Sequence, residues 1–536
     1  MELPEGRNAL PSHWVYKIKR DGAGNVQRFM ARLVCGGNHQ IQGIDYQATY
    51  APTTHLGNVR LALAIAAQYD LKISQMDVCM AFLGVDLEEE IYMHPPQGYF
   101  RFLQTGRLTK TLRKMVLCLR KSLYGLKQSS HVWYGTFKDC VISIGFVASR
   151  VDGGLFMLHN MDHDIVAAVV VYIDDLLIIA NKGLIGQIKD KMKKRSLMHD
   201  LGSVFLYLGM NIECNREHHM IVIDQHSYIR TILAKFRMVE SRPVATPMAL
   251  RHHKRNTAKE ACDPSIYYSM IRSLMYAMTA TRPDIAYAIG DISWYNHDPS
   301  NEHRVALKRV FRYLNGTKDW ELSFGGALRG ALEGEGTPRC YVDSDYVGCP
   351  DDYQSTSGLV ITFRGAVDWR SRKQKSTAQS TTDAEYYALG VGCMRLTQIS
   401  HLLNKLGIPT IPHVFSDSQS LIASIKNSIY CRTTVPHIVT RYYLAADMAR
   451  NGEIDLSYIP TAEMLTECFT KPLLKPAVLK QCAVIGMIRI GLGNGFGIGI
   501  RNGLGNSLDV LRNGRGNGIG IGSGNAIGNP IGKQID

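Results

Sequence analysis

The sequence predicts two mixed regions in series, an α+β region followed by an α/β region, and then a disordered Gly-rich C-terminal tail. Three observations predict this. An apolar, β-branched run from Asp164 to Asn181 is broken only by the adjacent carboxylates Asp174 and Asp175. Beyond a Gly-rich break at residues 325–336 the pattern changes to alternating strands and helices, several of which end or begin in acidic residues. From Gly486 onward the chain is Gly/Asn/Ile/Arg low-complexity sequence without periodicity, in which ordering so many glycines costs more backbone entropy than any burial returns.

The chain has 536 residues, room for roughly three or four domains. With 61 Lys plus Arg against 47 Asp plus Glu it carries a formal charge of +14, a balance that favours nucleic acid or another acidic surface as partner. Its 12 cysteines form no CxxC pair and no Cys/His finger spacing, which argues against a cysteine-based zinc module and for reduced thiols. No signal peptide and no apolar segment long enough to span a membrane are present. The expected protein is intracellular, cytoplasmic or nuclear, not secreted, and without a membrane partner.

In chain order, Trp14 to Asn25 alternates apolar and basic residues before an Asp-Gly turn, which predicts a β-hairpin whose second arm is Val26–Val34. Val59–Tyr69 is rich in Ala and Leu and reads as a helix. Leu71–Leu83 begins as a strand and turns helical after Asp77. Taken alone, an aspartate placed like Asp77 is more often a helix cap than a ligand. In the Asp164–Asn181 run, burying an unpaired carboxylate costs several kcal/mol, so Asp174 and Asp175 must sit at a solvated turn or beside a cation. A strand, a turn carrying both acids and a second strand satisfy that demand. Read together, Asp77, Asp174 and Asp175 are enough to hold two divalent ions about 4 Å apart, the arrangement that stabilises attacking and leaving oxygens in phosphoryl transfer. Residues 185–245 read as helix, hairpin and helix, the first of them the basic stretch Ile188–Arg195. Two helical stretches then flank Thr281–Tyr287.

In the C-terminal half, Cys340–Gly348 is a strand that delivers Asp343 to a turn. Ser380 caps a helix carrying Glu385 in its first turns, and His413–Gln419 is a short strand ending at Asp417. These three acids again compose an oxygen-rich pocket for paired Mg²⁺. Each taken separately also reads as a cap or turn former.

Arg32-Leu-Val, Gly43-Ile-Asp-Tyr, Gln75-Met-Asp-Val, Ala81-Phe-Leu, Asp86-Leu-Glu-Glu-Glu-Ile-Tyr-Met, Ser122-Leu-Tyr-Gly-Leu-Lys-Gln-Ser, Tyr172-Ile-Asp-Asp and Tyr207-Leu-Gly-Met occur in this order. Over about residues 11–245 they resemble the reverse transcriptase of copia-type retrotransposon Pol polyproteins. Tyr341-Val-Asp-Ser-Asp, Ser355-Thr-Ser-Gly, Thr382-Asp-Ala-Glu-Tyr, Ser416-Asp-Ser-Gln-Ser and Phe469-Thr-Lys-Pro-Leu resemble the ribonuclease H part of the same polyproteins, over roughly 338–475.

The resemblance implies a polymerase with fingers, palm and a thumb-like region, followed by an α/β ribonuclease H-like domain. Its implied boundaries are 1–245 for fingers and palm, 246–336 for a helical thumb or connection, 337–476 for the ribonuclease H-like domain and 477–536 for the tail. Asp77, Asp174 and Asp175 are then the metal-binding acids of the palm, and Asp343, Glu385 and Asp417 those of the nuclease, with Glu467 as a fourth catalytic acid where the family has Asp. Arg32, Phe82, Tyr124, Gly125, Ser129 and Tyr172 fall in segments that contact nucleotide or template, Phe82 at the steric gate against a 2′-hydroxyl. The implied cofactors are two Mg²⁺ ions per active site, or Mn²⁺ in their place. The implied partners are an RNA template, a DNA primer, RNA–DNA hybrid, deoxynucleoside triphosphates and other parts of the element polyprotein. Met30, Cys35-Gly36, Cys79-Met80, Ser130-His131-Val132 and Glu467 depart from the family's residues. They support the competing reading, a catalytically weak derivative that only binds nucleic acid.

Overall fold

The computed structural model describes residues 1–20, 26–78, 80–99, 115–160, 165–195, 198–250, 262–326, 336–426 and 436–489. The Asp21-Gly22 turn, Cys79, part of the polar stretch after residue 250, most of the Gly-rich break and the tail beyond Arg489 lie outside the described residues.

The predicted N-terminal hairpin forms, Ser12–Arg20 pairing antiparallel with Val26–Cys35. The centre of the N-terminal region is a six-stranded antiparallel sheet. Its strands run in the order Met198–Ser203, Lys72–Val78, Asp175–Ala180, Ile165–Tyr172, Leu155–His159 and Val147–Ala148. Both faces are covered, which is why its central strands read as an unbroken apolar run instead of an alternation. Leu176, Ile178 and Ala180 pack with Trp133 and Phe137 of the Ser129–Ser143 helix and with Ile185 and Ile188 of the Lys182–Arg195 helix. Leu177 and Ile179 point the other way, towards Val59, Leu63 and Ala66 of the Leu56–Gln68 helix. The period of two along the strand thus feeds two cores at once. On the basic helix, Lys189 and Lys193 are tied to Asp200 at 2.8 and 3.1 Å.

A second antiparallel sheet orders Leu206–Tyr207, Met210–Asn215, Met220–Asp224, Trp320–Gly325 and Met487–Arg489. Its last strand differs from the expectation of a tail beginning at 477. Lys475–Val484 is a helix opened by a proline, and Val478, Cys482, Ile485 and Met487 are buried in the main core. Those apolar residues anchor the chain through Arg489, before the glycines dominate. Between the third and fourth strands of this sheet the chain makes the helices Pro264–Ala280, Ala286–Ser293 and Asn301–Gly316, which enclose a core of their own with the His226–Lys235 helix. Asp263 and Ser300 cap two of them, Ser300 in a capping box whose third residue is His303.

The C-terminal sheet has the order Ala366–Lys373, Thr356–Thr362, Arg339–Ser344, His413–Ser416 and Asp455–Tyr458. Its first three strands are antiparallel and its last two join in parallel. The Thr381–Lys405 helix crosses it at Gly392, where a Cβ would stand 2.6 Å from Val342 Cγ1, so only glycine permits this approach. Among the described residues no helix is long and apolar enough to cross a membrane.

A buried ion pair holds the helical region. Arg282 and Asp284 have fully buried side chains and bond twice, at 2.9 and 2.6 Å. Thr317 accepts from Arg282 through its carbonyl and its hydroxyl, and Tyr313 donates its hydroxyl to Asp284 at 2.7 Å. Every charge here has a partner, so removing one strands the other. Arg282→Ala is expected to destabilise the chain by about 3–5 kcal/mol in urea unfolding, and Arg282→Ala/Asp284→Ala by less than the single change.

Candidate active site

The first acidic cluster lies where three strands of the central sheet end. Asp77, one residue from the end of Lys72–Val78, stands directly opposite Asp175, the first residue of Asp175–Ala180. The hairpin between Tyr172 and Asp175 turns on only two residues, Ile173 and Asp174. Thus Asp174 occupies the turn itself and is exposed, whereas Asp175 belongs to the strand and is half-buried, as is Asp77. Ile173 has φ +59°, a conformation that a β-branched side chain resists. Two hydrogen bonds hold the turn there: Trp133 Nε1 donates to the Ile173 carbonyl at 3.0 Å, and the Val78 amide to the Asp174 carbonyl at 3.2 Å. Gln75 Nε2 donates to Asp175 Oδ1 at 3.2 Å. The helix and the neighbouring strand therefore aim the two aspartates. A set of carboxylates at solvated strand ends suits a hard divalent cation.

Three residues placed at nucleotide or template segments meet in a stack. Phe82 and Tyr124 touch edge to face with centroids 5.2 Å apart, and the Arg32 guanidinium lies 5.0 Å from the Tyr124 centroid. Gly125 has φ +95°, and a Cβ there would collide with the Cys35 carbonyl. Ser129 is buried, donating to the Leu123 carbonyl and accepting from Ser122, both at 2.7 Å, so it braces the segment from within. Tyr172 pairs across the turn with Asp175. Residues 40 and 128 were not singled out from the sequence. Gln128 donates to the Asp45 carbonyl at 2.8 Å, and Gln40 joins it to the Lys127 amide at 3.0 and 2.7 Å. Gln128 lies inside the Leu-Lys-Gln-Ser motif, which carries a signal of its place; the sequence around Gln40 carries none.

The second cluster is tighter and more buried. Asp343, Glu385 and Asp417 each offer a carboxylate oxygen within 4.8 Å of the other two, whereas Asp77, Asp174 and Asp175 do not form so close a group. Glu385 Oε1 accepts from the Ser344 amide and hydroxyl, both at 3.1 Å, and its Oε2 is buried without a hydrogen-bonding partner. Thr470 donates to Asp343 at 2.7 Å and Thr461 to Asp417 at 2.7 Å. Burial, then the neighbouring Asp343 and Asp417, push the Glu385 carboxyl well above the ordinary carboxylate range. Burial and Asp417 raise Asp343 against the opposing Thr470 hydroxyl. An orphaned buried oxygen among three acids fits a divalent cation. Glu467 stands outside this trio: it opens the short Glu467–Thr470 helix and pairs with Lys471 Nζ at 2.8 Å.

The family model described as Reverse transcriptase (RNA-dependent DNA polymerase) matches residues 1–250. The retrovirus-related Pol polyprotein from transposon TNT 1-94 of Nicotiana tabacum is 37% identical over 487 residues, 88% of this chain and 35% of that protein. Residues 1–250 belong to the reverse transcriptase family, and over most of its length the chain is similar to copia-type retrotransposon Pol polyproteins. A second member, the polyprotein from transposon RE1 of Arabidopsis thaliana, is 32% identical over 90% of this chain and 32% of its own length. The chain thus spans about a third of the length of these family members. Among solved structures, a foamy viral protease-reverse transcriptase in complex with double-stranded DNA aligns with 86% of this chain and 67% of that chain, at 11% identity and a TM-score of 0.40.

The raised carboxyls of the second cluster set a pH dependence. An unfolded chain ionises these acids in the ordinary carboxylate range, while the metal-free folded chain keeps its protons to higher pH. The folded state therefore binds more protons through that window, and stability falls as pH rises. In EDTA, thermal unfolding is expected at a higher temperature near pH 5 than near pH 7, and Glu385→Gln should shrink the difference and raise the midpoint at neutral pH.

Proposed function

We propose that this chain is an RNA-directed DNA polymerase with an attached ribonuclease H domain. The observation that carries this reading is the register of Asp77 against Asp175, with Asp174 on the adjoining strained turn, in a chain of the reverse transcriptase family. The central sheet acts as palm, the N-terminal hairpin as fingers, the helices between 264 and 316 as thumb or connection, and the C-terminal sheet as the nuclease. Asp77, Asp174 and Asp175 would hold two Mg²⁺ ions for the polymerase, and Asp343, Glu385 and Asp417 those for the nuclease. Bound there, divalent ions supply electrostatic stabilisation to the attacking and leaving oxygens of an in-line displacement.

The chain's own residues do the positioning. Trp133 and Val78 fix the turn that presents Asp174. The Phe82 ring, held by Tyr124, lies against the sugar and excludes a 2′-hydroxyl, and Arg32 beside the Tyr124 ring offers a cation to phosphate. In the nuclease, Ser344, Thr470 and Thr461 hold Glu385, Asp343 and Asp417 in place, leaving Glu385 Oε2 as the free donor atom. The natural partners on this reading are an RNA template, a DNA primer, the hybrid they form and deoxynucleoside triphosphates.

Primer extension on an RNA template with Mg²⁺ tests the reading. Extension should drop at least about a hundred-fold in Asp174→Asn/Asp175→Asn while hybrid binding persists. Hybrid binding without extension by the unmutated chain would identify instead a derivative that holds nucleic acid and no longer copies it. Phe82→Ala should incorporate ribonucleotides that the unmutated chain rejects; unchanged discrimination would remove Phe82 from the gate.

A further inference from the structure

A third group of potential ligands lies away from both acidic clusters, on the second sheet. Asp224 ends the Met220–Asp224 strand, His226 opens the helix that follows, and Glu321 sits on the adjacent Trp320–Gly325 strand, one residue before the Ile223–Leu322 pair. Each offers one ligand atom within 4.8 Å of the other two.

Ordinary structural roles account for only part of this group. Asp224 Oδ1 accepts from Asn211 Nδ2 at 2.7 Å and from the His226 amide at 2.8 Å, and His226 Nδ1 lies 3.2 Å from the same oxygen. Asp224 is therefore accounted for as a bracket on the helix start. The other two residues are not. Glu321 is only 6% exposed, and its carboxylate makes no hydrogen bond or ion pair among the described residues. His226 Nε2 is buried and has no hydrogen-bonding partner. A carboxylate without a hydrogen-bonding partner on so little-exposed a residue, and a buried imidazole nitrogen without one, gathered beside an aspartate, cost the fold stability.

We propose that Asp224, His226 and Glu321 bind a divalent cation with an affinity for imidazole, Zn²⁺ in the first place. One nitrogen among oxygen donors distinguishes this site from the two all-carboxylate clusters, which suit Mg²⁺. Three protein ligands and a water complete four-coordination. Burial, with Asp224 and Glu213 nearby, pushes the Glu321 carboxyl up to about 8, and a cation relieves that repulsion. The ion would join the start of the His226–Lys235 helix to a strand the chain reaches only after three more helices. Its role is thus a structural clip that closes a long excursion.

Equilibrium dialysis of the full chain against Zn²⁺, with Mg²⁺ in large excess to fill the oxygen sites, tests this, together with thermal unfolding in the same buffers. The unmutated chain is expected to retain one Zn²⁺ and to unfold several degrees higher with it. Glu321→Gln and His226→Asn should each weaken uptake at least about ten-fold, while Asp417→Asn in the nuclease cluster leaves it unchanged. Equal uptake by all four proteins, or loss only in Asp417→Asn, overturns the site. If the first two variants fold poorly, Co²⁺ added to the unmutated chain decides: a visible absorption band displaced by Zn²⁺ supports the site, and a spectrum like aqueous Co²⁺ overturns it.

Discussion

Burial of the central sheet on both faces constrains everything around it. Leu176, Leu177, Ile178 and Ile179 are all at most 2% exposed, and each such side chain contributes about 1.5–3 kcal/mol. That gain is available only if no unpaired charge enters the sheet interior, where one carboxylate would offset two or three of them. The acids are therefore driven to where the strands end. The same burial that stabilises the sheet places Asp77, Asp174 and Asp175 together at its rim.

The two halves of the chain also share one hydrophobic core. Arg60, on the Leu56–Gln68 helix under the central sheet, is buried and donates to the carbonyls of Val367, Thr279 and Ala280 at 2.7–3.0 Å. Its guanidinium lies 3.8 Å from the Trp369 ring centroid, with Asp368 at 3.8 Å. Arg395 joins Asp368 from the C-terminal half and reaches His55 at 2.9 Å. A planar donor fork that bridges three carbonyls and an aromatic face leaves little freedom for the C-terminal sheet to rock against the helix. The N-terminal and C-terminal regions are consequently held in a fixed relation along this seam.

The two acidic clusters differ in how their charge is managed. At the sheet rim, exposure of Asp174 and half-burial of its neighbours let water carry much of the repulsion. In the C-terminal sheet, Asp343 and Glu385 are over nine-tenths buried, so hydrogen bonds from Ser344 and Thr470 have to do that work. The first arrangement leaves its acids open to solvent; the second presets a compact pocket.

By itself, the sequence determined which strands and helices form across most of the chain, because an unbroken apolar run, an Ala-rich stretch and a Ser cap are local signals. The hairpin near 14–34, the helix near 59–69, a turn bearing Asp174 and Asp175 and the strand ending near Asp343 were all legible in this way. Tertiary structure decided the rest, because it depends on partners far apart in the chain. Only the fold could show that Asp175 belongs to a strand while Asp174 makes the turn, that Gln40 reaches Gln128, and that Thr470 serves Asp343. It likewise decided that residues 477–489 belong to the core and not to the tail, since a few apolar side chains gain stability there only when a distant strand, Trp320–Gly325, offers its edge.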